Sequence, residues 1–88
     1  MIDVQQIDDT TFEVTVQGRV TTKHEVTVDP SYDEKLSGKR VPPETLVAKS
    51  FEFLLEREPN TSILRRFDLS VISRYFPEYE SEIQERLA

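Results

Sequence analysis

The sequence predicts an α+β domain, in which a three-stranded antiparallel β-meander is packed by three to five mostly short helices. Apolar and polar residues alternate before about residue 30, whereas apolar residues recur at helical spacing after it. No internal repeat, low-complexity tract or linker divides the chain. We therefore expect one domain over residues 1–88, with the β-meander in residues 1–29 and the helical part in residues 30–88.

The three strands are predicted from apolar–polar alternation with a period of two residues. Residues 12–17 alternate strictly, residues 22–28 alternate again, and a shorter first strand precedes them. Gly18 marks the turn between the second and third strands, because glycine adopts positive φ at little cost. The apolar residues of the three strands share one face: Ile2, Val4, Phe12, Val14, Val16, Val26 and Val28.

Capping residues define the first two helices. Asp29 followed by Pro30 is a typical helix start, with a carboxylate N-cap and a proline at the first helical position. Gly38 suits the left-handed residue that ends this helix. The next helix, over residues 43–57, carries a wide apolar stripe and stops before Pro59. We expect this long helix to supply much of the core.

Two short helical pieces and a last helix complete the chain. The pieces are predicted over residues 62–67 and 69–76, with Asp68 as the cap between them. Pro77 starts the last helix, whose apolar residues recur every four positions. These residues are Tyr79, Ile83 and Leu87.

The composition excludes several kinds of catalytic and metal site. Cysteine is absent, and the chain has only one histidine and two glycines. It therefore offers no thiolate, no cluster of imidazoles and no glycine-rich phosphate loop. His24 shares the apolar face of its strand with Val26 and lies beside Thr22, so we expect it to be a structural hydrogen-bonding residue. We predict no cofactor and no enzymatic activity.

The chain is acidic, with 17 Asp and Glu against 11 Lys and Arg and a net charge of −6. This charge opposes binding to nucleic acid and to anionic lipid. Adjacent acids such as Asp8 and Asp9 are interpreted as solvated surface, because Ca²⁺ and Mg²⁺ need several oxygens held by a shaped loop. No apolar run approaches the ~20 residues that cross a bilayer, and residues 1–9 lack the apolar region of a signal peptide. We expect a cytoplasmic protein with neither a membrane nor a metal partner.

Three arginines, Arg65, Arg66 and Arg74, lie in a stretch that contains one acid, Asp68. Their segment, residues 62–76, resembles a helix-turn-helix in which RRFDLS ends the first helix and ISRYF lies on the helix that enters the major groove. Asp68 replaces the usual turn glycine, and the segment is shorter than that of the family. In the alternative interpretation the arginines are solvated and the apolar residues of the segment are core, namely Leu64, Phe67, Leu69, Ile72, Tyr75 and Phe76. Weak nucleic-acid binding is therefore the second function prediction.

The second half of the chain also resembles a group of small bacterial proteins. The resemblance rests on SFEFLLEREP over residues 50–59 and SILRRFDLS over residues 62–70. That group has no assigned activity, so the resemblance transfers no site residue.

Phe53 lies nearly opposite Phe51 on the long helix and so stands outside its main apolar stripe. Two interpretations remain open. Either the helix is buried on two sides, or Phe53 forms a partner surface with Tyr79, Ile83 and Leu87 of the last helix. The first function prediction is a small non-enzymatic accessory or regulatory protein that binds a protein partner or forms a weak homodimer.

Overall fold

The computed structural model describes residues 1–88, and its sheet contains the predicted meander with one further strand. Strands β1 (Ile2–Gln6), β2 (Thr11–Gln17) and β3 (Thr21–Thr27) are antiparallel in that order. A short strand β4 (Arg66–Asp68) pairs with β3 in parallel, so the sheet order is β1-β2-β3-β4. The α+β class and the N-terminal meander are confirmed, and β4 was not predicted.

The strand register explains why one face of the sheet is buried. Val14 of β2 lies opposite Val4 of β1 and His24 of β3, and Phe12 lies opposite Val26. Because side chains alternate along a strand, each of these rows points to the same face. Of these five residues only Val4, on the edge strand, is less than fully buried. The opposite face is polar.

The helical part begins with the predicted caps. The Asp29 carboxylate accepts a hydrogen bond from the Ser31 backbone N–H at 2.9 Å, and Gly38 closes the first helix with φ +62°. The helices are α1 (Pro30–Ser37), α2 (Pro43–Leu55), α3 (Ile72–Tyr75) and α4 (Tyr79–Leu87), with 3₁₀ turns at Asn60–Ser62 and Leu69–Val71.

Helix α2 is the centre of the core, since it packs against β1 on one side and against α4 on the other. Phe51 faces the sheet, where its ring lies 5.4 Å from the His24 ring. Phe53 faces the last helix, where its ring lies 5.3 Å from the Tyr79 ring. Both phenylalanines are fully buried, so the interpretation of a helix buried on two sides is right.

The predicted helix over residues 62–67 is wrong. Ser62 ends a 3₁₀ turn, the chain is extended at Ile63, and β4 begins at Arg66. The Glu25 backbone N–H donates to the Arg65 carbonyl at 2.7 Å, which extends the β3–β4 pairing. Long-range pairing with β3 thus overrides the local helical pattern, as tertiary contacts often do. The following piece, by contrast, is helical from Leu69 to Tyr75, where the 3₁₀ turn runs directly into α3.

Candidate functional site

His24 is buried and both of its ring nitrogens are engaged. Its Nδ1 lies 2.8 Å from the Leu64 carbonyl oxygen, and its Nε2 lies 2.9 Å from the Thr22 hydroxyl oxygen. A carbonyl can only accept, so Nδ1 carries the hydrogen and Nε2 accepts from Thr22. The Asn60 amide in turn donates to the Thr22 oxygen at 2.9 Å. This chain of hydrogen bonds joins β3 to the segment before β4, so His24 is buried and hydrogen-bonded as the sequence predicts.

The three arginines do not form a DNA-reading surface of the predicted kind. Arg66 lies on β4, and its Nε is 3.4 Å from the Glu25 carboxylate. Arg65 precedes that strand, and Arg74 lies on α3, which has only four residues. A helix-turn-helix needs two helices, so the prediction of one over residues 62–76 is wrong. All three side chains are exposed.

The predicted partner surface is also wrong. Phe53, Tyr79 and Ile83 are each 0% exposed, and Leu87 is half-buried against the same core. The Tyr79 hydroxyl lies 2.7 Å from the Ser50 hydroxyl, inside the contact between α4 and α2. The off-stripe position of Phe53 therefore reflects a second packing face within this chain.

Acidic residues on and near α4 form ion pairs with two arginines. Arg57 contacts Glu82 at 2.8 Å and Glu78 at 3.3 Å, and Arg86 contacts Glu56 at 2.6 Å. No group of three or more His, Asp and Glu side chains is arranged to hold a metal ion. None of the helices has the length and apolar character that a membrane span requires.

An apolar groove lies where the end of α2, the segment before β4 and α3 meet. Its volume is about 180 Å³, and eight of its ten lining residues are hydrophobic. The groove is lined by Leu54, Glu58, Ser62, Ile63, Leu64, Phe67, Val71, Ile72, Tyr75 and Phe76. We call it the α2–α3 groove.

Leu64 and Tyr75 give this groove an exposed apolar rim. Tyr75 is 67% exposed and is the only exposed aromatic residue, and Leu64 is 47% exposed. The alternative sequence interpretation placed both in the core, and it is wrong for these two residues. Leu64 follows the buried Ile63 in extended chain, where neighbouring side chains point to opposite sides. The sequence predicts a helix here, and it is the extended conformation of this segment that turns Leu64 outward.

Glu58 is the only charged residue that lines the α2–α3 groove. Its carboxylate has no ion-pair or hydrogen-bond partner, whereas the nearby Glu56 forms ion pairs with Arg57 and Arg86. Burial among apolar side chains raises the pKa of Glu58 above its ordinary value. The groove thus combines an apolar floor with one unpaired carboxylate.

Comparison with known proteins gives no assignment: no family model matches the chain, and neither does any curated protein or solved structure. The resemblance of the second half to small bacterial proteins stays a prediction.

Proposed function

We propose that the protein is a small non-enzymatic binding module that receives a large apolar side chain of a basic protein segment in the α2–α3 groove. The observation that carries this proposal is the exposure of Leu64 and Tyr75 on the rim of a groove with an apolar floor. Exposed apolar surface around a concave site is typical of interaction sites, and tyrosine is enriched in them.

The charge of the molecule favours a basic partner. The net charge is −6, and the single charged residue in the groove is the unpaired Glu58. A positively charged segment is attracted by both, whereas an acidic segment or a nucleic acid is repelled by both. Arg65, Arg66 and Arg74 do not line the groove, and Arg66 already contacts a carboxylate. Nucleic-acid binding is therefore the less favoured proposal.

The single histidine of the chain gives no support to a catalytic role. His24 has both ring nitrogens engaged, and it is 2% exposed. A general base must reach the proton that it abstracts, which this imidazole does not do. We therefore infer no general-base role for His24.

Selection from a displayed library of random peptides tests the proposal. We expect the selected peptides to share a large apolar residue accompanied by Lys or Arg. Their binding should weaken at least tenfold in Tyr75→Ala and in Leu64→Ser, because these changes remove the rim. Val20→Ala is the matched control, since Val20 is 58% exposed and lies outside the groove.

Two results contradict the proposal. One is a set of selected peptides that bind equally well to wild type, Tyr75→Ala and Leu64→Ser. The other is sub-micromolar binding of mixed-sequence duplex DNA that falls steeply with salt and falls again in Arg74→Ala, which supports the nucleic-acid function instead.

A further inference from the structure

Glu58 occupies a position in the α2–α3 groove that suits recognition of a cation. It lies three residues beyond the end of α2, and its backbone N–H donates to the Leu54 carbonyl at 2.9 Å. This bond fixes the backbone of Glu58 against Leu54, which also lines the groove. The backbone that carries this side chain is therefore anchored to the end of α2 at the edge of the groove.

Three acids around the contact between α2 and α4 already have a cationic partner. Glu56, Glu78 and Glu82 all contact Arg57 within 4 Å. Glu58 follows Arg57 directly in sequence, yet the Arg57 guanidinium contacts Glu78 and Glu82 instead. Arg57 thus leaves the carboxylate of Glu58 unpaired, although the two residues are adjacent in sequence.

An unpaired, partly buried carboxylate has an energetic cost that a bound cation removes. Burial disfavours the charged form of Glu58, which is why its pKa is raised. A cation beside it regains Coulomb attraction without any rearrangement of the chain. The apolar floor meanwhile holds the carbon skeleton that carries the cation.

We infer that Glu58 is the specificity-determining residue of the α2–α3 groove and selects ligands in which an ammonium or guanidinium group lies next to the apolar group. The inference rests on the proposed function, because it concerns the same groove. In a protein partner the match is a large apolar residue adjacent to Lys or Arg.

Three small probes of similar shape test this selection by chemical-shift titration at pH 7. The probes are phenethylammonium, 2-phenylethanol and 3-phenylpropionate, and the amides of Leu64, Ile72 and Tyr75 report groove occupancy. We expect phenethylammonium to bind about fivefold more tightly than the neutral alcohol, as one solvent-exposed charge pair at 4 Å implies. We expect 3-phenylpropionate to bind more weakly than the alcohol.

Glu58→Gln and Glu34→Gln separate the local charge from the overall charge. Each variant removes one negative charge, and Glu34 is exposed and does not line the groove. The preference for phenethylammonium should disappear in Glu58→Gln and persist in Glu34→Gln. Loss of the preference in both variants, or a preference for 3-phenylpropionate, overturns the role of Glu58.

The same titration distinguishes this inference from the proposed function. If the three probes shift the groove amides at equal concentrations, the groove binds apolar groups but Glu58 does not select among them. If none of the probes shifts those amides, the groove is not a binding site, and both the proposed function and the inference are overturned.

Discussion

The Arg57 guanidinium lies over the Phe53 ring, with its central carbon 3.6 Å from the ring centroid. From this position it donates to the Glu82 carboxylate at 2.8 Å and to the Phe53 carbonyl at 3.1 Å. One side chain thus covers the aromatic contact between α2 and α4 and links the two helices by charge. Helix α4 is therefore held by the Arg57 contact at the surface as well as by its buried residues.

Replacement of Arg57 should therefore destabilise the fold more than loss of an ordinary surface ion pair. We expect Arg57→Met to lower the free energy of unfolding by about 1–2 kcal/mol, since it removes the cation–π contact and the pairs with Glu78 and Glu82. Urea denaturation measures the change. Lys49→Met is the matched control, because Lys49 forms one exposed pair with Glu52 at 3.6 Å. Equal losses in the two variants would contradict the role of Arg57.

His24→Gln should destabilise the protein because an amide cannot reproduce both hydrogen bonds of the ring. We expect a loss of about 1–3 kcal/mol for the unpaired Leu64 carbonyl and the lost packing on Phe51. Thermal and urea unfolding measure it, with the exposed neighbour Lys23→Gln as control. The ring-proton shifts of wild-type His24 should not respond to micromolar zinc, and a metal-dependent shift would show that the residue is not purely structural.

The Tyr32–Glu80 pair should make stability depend on pH. The Tyr32 hydroxyl donates to the Glu80 carboxylate at 2.7 Å and, together with Lys35, holds the pKa of Glu80 below its ordinary value of 4.5. A depressed pKa in the folded state stabilises the fold above the unfolded pKa, and this contribution is lost as pH falls below about 4.5. Tyr32→Phe should therefore cost more stability at pH 7 than at pH 3.

Melting curves at the two pH values test this dependence. Tyr75→Phe is the matched control, because the Tyr75 side chain is 67% exposed. A cost of Tyr32→Phe that is the same at pH 3 and pH 7 would show that the pair does not contribute through the charge of Glu80.

The last helix should be indispensable to the fold of this chain. Ile83 is fully buried, so we expect Ile83→Ala to cost about 2–5 kcal/mol, and deletion of residues 78–88 to unfold the protein. The neighbouring Gln84 is exposed, and Gln84→Ala should cost little. Circular dichroism and sedimentation measure fold and association. A truncated protein that stays folded and becomes monomeric would show instead that α4 docks a second chain.

The local parts of this fold follow from short-range rules. The alternation of apolar and polar residues predicts the hairpin, because a strand with one buried face carries its apolar side chains on that face. Asp29 and Gly38 delimit α1 because they satisfy the hydrogen bonds of its terminal backbone groups. The buried role of His24 follows from its parity with Val26. These features depend on neighbours within a few residues, so the sequence alone predicts them.

The candidate site depends on a long-range contact, which is why the sequence did not predict it. Residues 62–67 have a pattern compatible with a helix, whereas the pairing of Phe67 with Val26 in the β3–β4 ladder places Arg66–Asp68 in a strand. That pairing turns Leu64 outward onto the groove rim. Apolar periodicity likewise cannot tell whether Phe53 meets its own chain or another, since both bury the ring equally.

The parallel ladder between β3 and β4 also predicts an order of folding. The N-terminal hairpins close over a few residues, whereas Glu25 and Arg66 are joined across two helices, so loop-closure entropy delays their contact. The transition state is then expected to contain the meander and α2 before β4 attaches. Leu64 lies directly before β4, in the segment that is expected to attach last. The groove is therefore expected only in the completed fold. A ligand of the groove must raise the melting temperature of the whole chain, because it binds the native state alone.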